Sequence, residues 1–311
     1  MIDQFLDYYS KAKKMQELKF EGKFWTEEEV NDDLVWNIPI YDVVNRKYAA
    51  FSSLLEAIKK QEEDPKGNGI YFTRSRNIED IDFITLCYLF RLCGSGINYK
   101  PKEYLPFGTH GFGNFWVVDY LTKGETEFEQ WIDNIPDKGF CDVKGYLLPM
   151  IKGGLNNFIK KETYGLIECL SSFLVKNKVE SHLKKSKDYK LIGIKEIVDH
   201  GNEYLLNKGF KRQNFVLTAF AMDMAEYFQN YVDRNSNVYV GSNAKKCLDI
   251  ILPKMNKDKA LTYLCDITGN FSKPYDMEDV ACDFIRYKDN FQSEYHIKLN
   301  NNIKYRNNVC K

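Results

Sequence analysis

A chain of 311 residues, at roughly 100–200 residues per domain, has room for one large domain or for two intimately packed lobes. Its 44% hydrophobic, 15% aromatic and 28% charged residues exclude wholesale disorder as well as collagen-like or coiled-coil repetition. Lys+Arg and Asp+Glu both number 44, for a net charge of +0, so bulk electrostatic attraction to nucleic acid is excluded and a local basic cleft would have to hold it.

No apolar run approaches the roughly 20 residues needed to span a bilayer, and the mean hydropathy is -0.48. No membrane partner is expected. Asp3 and Asp7 stand where a secretory signal would be basic and then apolar. The 8 cysteines include no CxxC pair, so neither a zinc ribbon nor a disulfide scaffold is readable, and free thiols in a reducing, cytoplasmic setting are the expectation.

Helical periodicity dominates. Ile2, Phe5, Leu6, Tyr9, Ala12, Met15 and Leu18 form the stripe of a first helix. Thr26 with Glu29 makes a capping box for a second, and Val43, Val44, Tyr48, Phe51, Leu54, Leu55 and Ile58 give a third. The polar stretch Glu62–Gly69 closes this N-terminal helical segment, 1–69. Tyr71–Arg76 reads as a short strand or extended entry, Asn77 caps a helix to Leu92, and Gly94 stops it. Gly94–Gly113, with five glycines and two prolines, reads as a long structured loop of the kind that carries function. Further helices are predicted at Val143–Lys160, Tyr164–Asn177, Gly193–Asn207, Gln213–Val232, Ser242–Ile251, Lys257–Ile267 and Met277–Phe291. The fold class is therefore mainly α, as two packed helical lobes, 70–180 and 191–295, with a basic tail over 296–311.

Familiar cofactor motifs are absent: there is no GxxxxGK[ST], GxGxxG, HExxH or GxSxG. The 4 histidines lack metal-ligand spacing, and neither a metal nor a cofactor is expected. Three constellations remain. Arg74, Arg76 and Arg91 lead into Gly94-Ser95-Gly96, followed by His110-Gly111-Phe112-Gly113-Asn114. Guanidinium forks and glycine-rich turns suit phosphate oxygens, and a helix starting near Asn114 would add its dipole; the plain alternative is a Gly94 helix C-cap, surface arginines and an ordinary loop histidine at His110. Asp279, Asp283, Arg286 and Asn290 make one polar stripe along a helix, readable either as a solvated face with an ion pair or as a carboxylate poised as general base. Gly241-Ser242-Asn243, ahead of Lys245 and Lys246, reads either as an anion-facing helix N-terminus or as a plain Ser242 cap. Lys211-Arg212-Gln213-Asn214, before a helix holding Asp223 and Glu226, is similarly ambiguous, and Met222 and Met224 of that helix read as core.

The order of these motifs, from Arg76, Arg91 and Gly94-Ser95-Gly96 through His110–Asn114 and Val240–Lys245 to Asp279-Val280-Ala281-Cys282-Asp283-Phe284-Ile285-Arg286-Tyr287, resembles the helical thymine-hypermodification proteins of DNA viruses. These are the alpha-glutamyl/putrescinyl-thymine pyrophosphorylases, or amino acid:DNA transferases, and the helical domain found with 5-hydroxymethyluracil DNA kinases. The resemblance implies a helical fold related to helix-hairpin-helix DNA glycosylases. Thr268-Gly269-Asn270 is the nearest counterpart to that family's hairpin.

What the resemblance implies is a transferase acting on DNA with a modified pyrimidine, in which an amine or amino-acid donor displaces a (pyro)phosphate from the 5-methylene group. Asp283 would take the amine's proton, with Asp279 and Arg286 orienting it and His110 in the same site. Arg74, Arg76, Arg91, Gly94, Ser95, Gly96, Gly111, Gly113, Asn114, Gly241, Ser242 and Asn243 would hold phosphates, and Phe112, Phe115 and Trp116 would stack on the base. The alternatives are a noncatalytic nucleic-acid or protein-binding helical module and a base-excising glycosylase relative.

Overall fold

Helix dominates the computed structural model, which describes residues 1–20, 84, 87–88, 165–178, 190–269 and 273–288. In chain order the elements are α1 (Ile2–Phe20), α2 (165–178), β1 (Ile192–Gly193), α3 (Ile194–Asn207), α4 (Asn214–Tyr227), β2 (Val232–Asp233), α5 (Ser242–Ile251), α6 (Lys257–Thr268) and α7 (Pro274–Lys288). Ile84, Cys87 and Tyr88 are also helical. The mainly α expectation stands among these residues. No helix among them is long and apolar enough to cross a membrane. The second and third expected helices, the Asn77–Leu92 helix save those three residues, the Gly94–Gly113 loop, the Val143–Lys160 helix and the basic tail lie outside the described residues.

The chain divides into two units, one built from both ends (1–52 and 237–311) and one from 53–236. In the first, α7 is the hub. Its Tyr275, Met277, Val280, Ala281, Phe284 and Ile285 are buried, as are Ala244, Cys247, Leu248 and Ile251 of α5 and Ala260, Leu261 and Leu264 of α6. The i, i+3, i+4, i+7 spacing of the α5 set gathers one apolar stripe on a helix whose other faces stay wet. Phe5 and Tyr8 of α1 meet Phe284, with ring centroids 5.4 and 5.5 Å apart; aromatic contacts at such separations add about 0.5–1.5 kcal/mol each beyond area burial. α6 starts where its sequence says it should: Asn256 Oδ1 accepts from the Asp258 and Lys259 amides at 3.0 and 3.3 Å.

The second unit centres on α4. Val216, Leu217, Ala219, Phe220, Ala221, Met222, Met224 and Ala225 are all buried, together with the polar Thr218, Asp223 and Glu226, so this mainly apolar helix sits inside. Met222 and Met224 are core, as their helical setting implied. Helix α3 crosses close to both α4 and α2 at Gly201, where an added Cβ would lie 3.0 Å from Leu217 and 3.2 Å from Leu170. Thus α2 packs against α3 at this point, within the same unit. α3 ends in a Schellman motif, in which the Phe210 N–H reaches the Leu205 carbonyl at 2.8 Å and Gly209 takes φ +81°.

One helix is shorter than its apolar run suggests. Gln213–Val232 was the expected span, yet α4 stops at Tyr227. Gln229 donates its side-chain amide to the Glu226 carbonyl at 2.8 Å, and the Val232 N–H turns back to Phe228 at 2.9 Å. Val232 then enters a two-residue parallel ladder in register with Ile192, a setting that suits its β-branched side chain. Just beyond, Arg234 donates to the buried Glu226 at 2.8 Å, which accounts for that carboxylate as a structural ion pair.

Candidate functional site

The described members of the expected site lie in the first unit, where the start of α5 meets α7. Gly241, at φ -68° and ψ 166°, is the N-cap of α5, and Ser242 is its first helical residue. A Ser242 cap is therefore replaced by a Gly241 cap, because the extended backbone ends one residue earlier. Gly241 has no side chain to cap the α5 first-turn amides, and no acid stands in that turn. Lys245 donates its amide to the Gly241 carbonyl at 2.8 Å; the Lys245 and Lys246 side chains are exposed, and Asn243 is half-buried.

The Gly241 N–H itself has a partner that the spacing did not reveal. Glu278 of α7, 37 residues away, accepts it at 2.8 Å and is only 7% exposed. A buried carboxylate on an amide is a strong, charge-assisted bond, and here it clamps two helices together. Asp276 does the related job for α7: its Oδ2 accepts the Lys273 N–H at 2.7 Å, the back half of a capping box preceding Pro274 at the first helical position. That second acid had a local signal, an aspartate three residues after the cap; Glu278 had none.

Asp279 and Asp283 lie on the half-buried face of α7, together with Cys282, whereas Glu278, Val280, Ala281 and Phe284 face inward. Among the described residues of the polar stripe, Asp279 and Asp283 thus lie on the more accessible side of this helix. Arg286 belongs to α7, but its side chain and Asn290 lie outside the described residues. So do Arg74, Arg76, Arg91, Gly94, Ser95, Gly96, His110, Gly111, Gly113 and Asn114, with Phe112, Phe115 and Trp116. The structure brings Gly241, Ser242 and Asn243 to the helix that carries Asp279 and Asp283.

Electrostatics weigh against one thiol of α6, which feels the charges at the start of α7. Burial pushes the Cys265 thiol up to about 12, with the Asp276 and Asp266 charges adding to the rise against the opposing pull of Lys273. It stays protonated at neutral pH, and among the described residues no imidazole stands beside it to take the proton, so it is a poor attacking group. Among the described residues no three His, Cys, Asp or Glu side chains are grouped to hold a metal ion. What the junction offers chemically is two accessible carboxylates one turn apart and a helix N-terminus flanked by two lysines.

The chain matches no family model, no curated protein and no solved structure.

Proposed function

We propose that this protein modifies DNA bases, an amine displacing a (pyro)phosphate from the 5-methylene group of a pyrimidine. In this reading the C–O bond to the phosphate breaks, the C–N bond forms, and Asp283 takes the proton that the amine loses. Asp279 and Arg286 orient that carboxylate. His110 belongs to the same catalytic set, Arg74, Arg76 and Arg91 with Gly94, Ser95, Gly96, Gly111, Gly113 and Asn114 receive the departing phosphates, and the first turn of α5 assists. A helical architecture akin to DNA glycosylases, an everted base and a reducing cellular interior belong to the same reading.

One observation carries it. The first motif of the resemblance, Val240–Lys245, is bonded through the Gly241 N–H at 2.8 Å to Glu278, the residue that immediately precedes the second, Asp279–Tyr287, and Asp279 and Asp283 of the second lie on the half-buried face of their helix. The test is incubation with DNA containing phosphorylated 5-hydroxymethyluracil and an amine, followed by mass spectrometry of the nucleosides. Amine-substituted nucleoside is expected. Asp283→Asn should abolish it while sparing the circular dichroism spectrum and DNA binding. Loss of the base would mark a glycosylase.

A second reading, a noncatalytic binding module, is favoured by the same contact seen from the other side. Glu278 already fills the Gly241 amide with a carboxylate, and a carboxylate there repels a phosphate. Unchanged nucleosides with intact DNA or protein binding would select it.

A further inference from the structure

Helices α2 and α3 meet at a thiol and an imidazole that take no part in the reading above. Cys169 Sγ stands 3.3 Å from His200 Nε2. The His200 ring is stacked on Phe173, with centroids 4.3 Å apart and planes at 17°, so α2 supplies both the sulfur and the surface that fixes the ring. Cys169, Phe173 and His200 are half-buried, hence partly open to solvent, while Glu168 and Glu203 beside them are exposed. A nucleophile within hydrogen-bond reach of a base, the base held in turn by a third group, is the arrangement that activates a weak acid for attack.

The local charges define how it would work. Burial pushes the Cys169 thiol up, and Glu203 and Glu168 push it the same way. Burial pushes the His200 imidazole down, against the pull of Glu203. At neutral pH the resting pair is thus a thiol beside a neutral imidazole, and the proton moves as the sulfur attacks. Glu203 then favours the imidazolium that results, while both glutamates disfavour an approaching anion.

We propose that Cys169 and His200 form a thiol-exchange site for small neutral or cationic disulfides. Cys169 Sγ attacks one sulfur of the disulfide as its proton passes to His200 Nε2. A new S–S bond forms, the old one breaks, and the leaving thiolate recovers the proton from the imidazolium. Cys169 ends oxidised in a mixed disulfide, and the released half of the small disulfide ends as a thiol.

The test exposes the full chain separately to cystamine, bis(2-hydroxyethyl) disulfide and dithiodipropionate, which are cationic, neutral and anionic, and follows each cysteine by peptide mass spectrometry. Cys169 should react first, ahead of the half-buried Cys282. Relative to the rates of a free model thiol, the order should be cationic, neutral, anionic, with steps of about threefold at low salt. His200→Gln should slow Cys169 roughly tenfold or more and leave Cys282 unchanged; Glu203→Gln, at an exposed position, should compress the charge ranking. Equal rates at Cys169 and Cys282, no charge ranking, or an unchanged Cys169 rate in folded His200→Gln would overturn the proposal. Should His200→Gln fail to fold, the comparison within the wild-type chain and the Glu203→Gln ranking decide it.

Discussion

At the start of α3 the Gly193 N–H is held by Glu196 at 3.1 Å, and at the start of α7 the Lys273 N–H is held by Asp276 at 2.7 Å. At the start of α4 and α5 the corresponding amides are held from other helices: Gln213 by Asn202 of α3 at 2.7 Å, and Gly241 by Glu278 of α7 at 2.8 Å. All four ends face the same requirement, since the cap amide and the first-turn amides have no intrahelical acceptor. The self-capped helices meet it within one turn of sequence. The borrowed caps meet it only once the tertiary structure exists, so each is at once a helix end and a packing contact. Ser236 shows an intermediate case, its hydroxyl accepting the Ile194 N–H at 2.8 Å while donating to the Asp233 carbonyl at 2.7 Å.

Breaking a borrowed cap should therefore cost more than breaking a local one. The largest loss is expected at Asn202, which is 1% exposed, accepts from Gln213 and donates to Asn214 at 2.7 Å. Asn202→Leu strands both partners and should lower stability by roughly 3 kcal/mol, measured as a shift in denaturant midpoint at constant slope. Next comes Glu278→Ala, at roughly 2 kcal/mol for a buried charge-assisted bond. Its distinguishing readout lies away from the mutation: amide exchange should quicken in the first turn of α5, and Glu278→Gln, which keeps an acceptor, should recover much of the loss. Unchanged exchange in α5 would show that Glu278 does not act as that helix's cap.

The same contrast decides what could be read from sequence. The expected and observed spans of α5 coincide at Ser242–Ile251, and α6 differs by a single residue at its end, because Asn256, Gly269 and the apolar stripe are all local signals. The run from Gln213 to Val232 misled because apolar content continues past Tyr227 while the backbone turns to meet Ile192. In the candidate site, the accessible placement of Asp279 and Asp283 was legible from helical spacing. Glu278 was not, since its partner is 37 residues distant, and Cys169 with His200, 31 apart, was hidden for the same reason.

The smallest effect belongs to the local cap on α3, and it carries a pH signature. Burial pushes the Glu196 carboxyl up, but the Lys190 ammonium, bonded at 2.9 Å, and the Gly193 N–H outweigh it and hold the group below its ordinary value of 4.5. A carboxyl lowered on folding stabilises the native state above its unfolded value, and that contribution fades as the pH falls from 4.5 through the lowered value. The group is mostly solvent-screened, so the contribution is about 0.5 kcal/mol. Glu196→Gln should accordingly lose this much at pH 7, and the gap between wild type and variant should close as the pH drops below that window. A gap that persisted in acid would mean that Glu196 acts through packing and not through its charge, and the α3 end would then differ from the α7 end in kind as well as in strength.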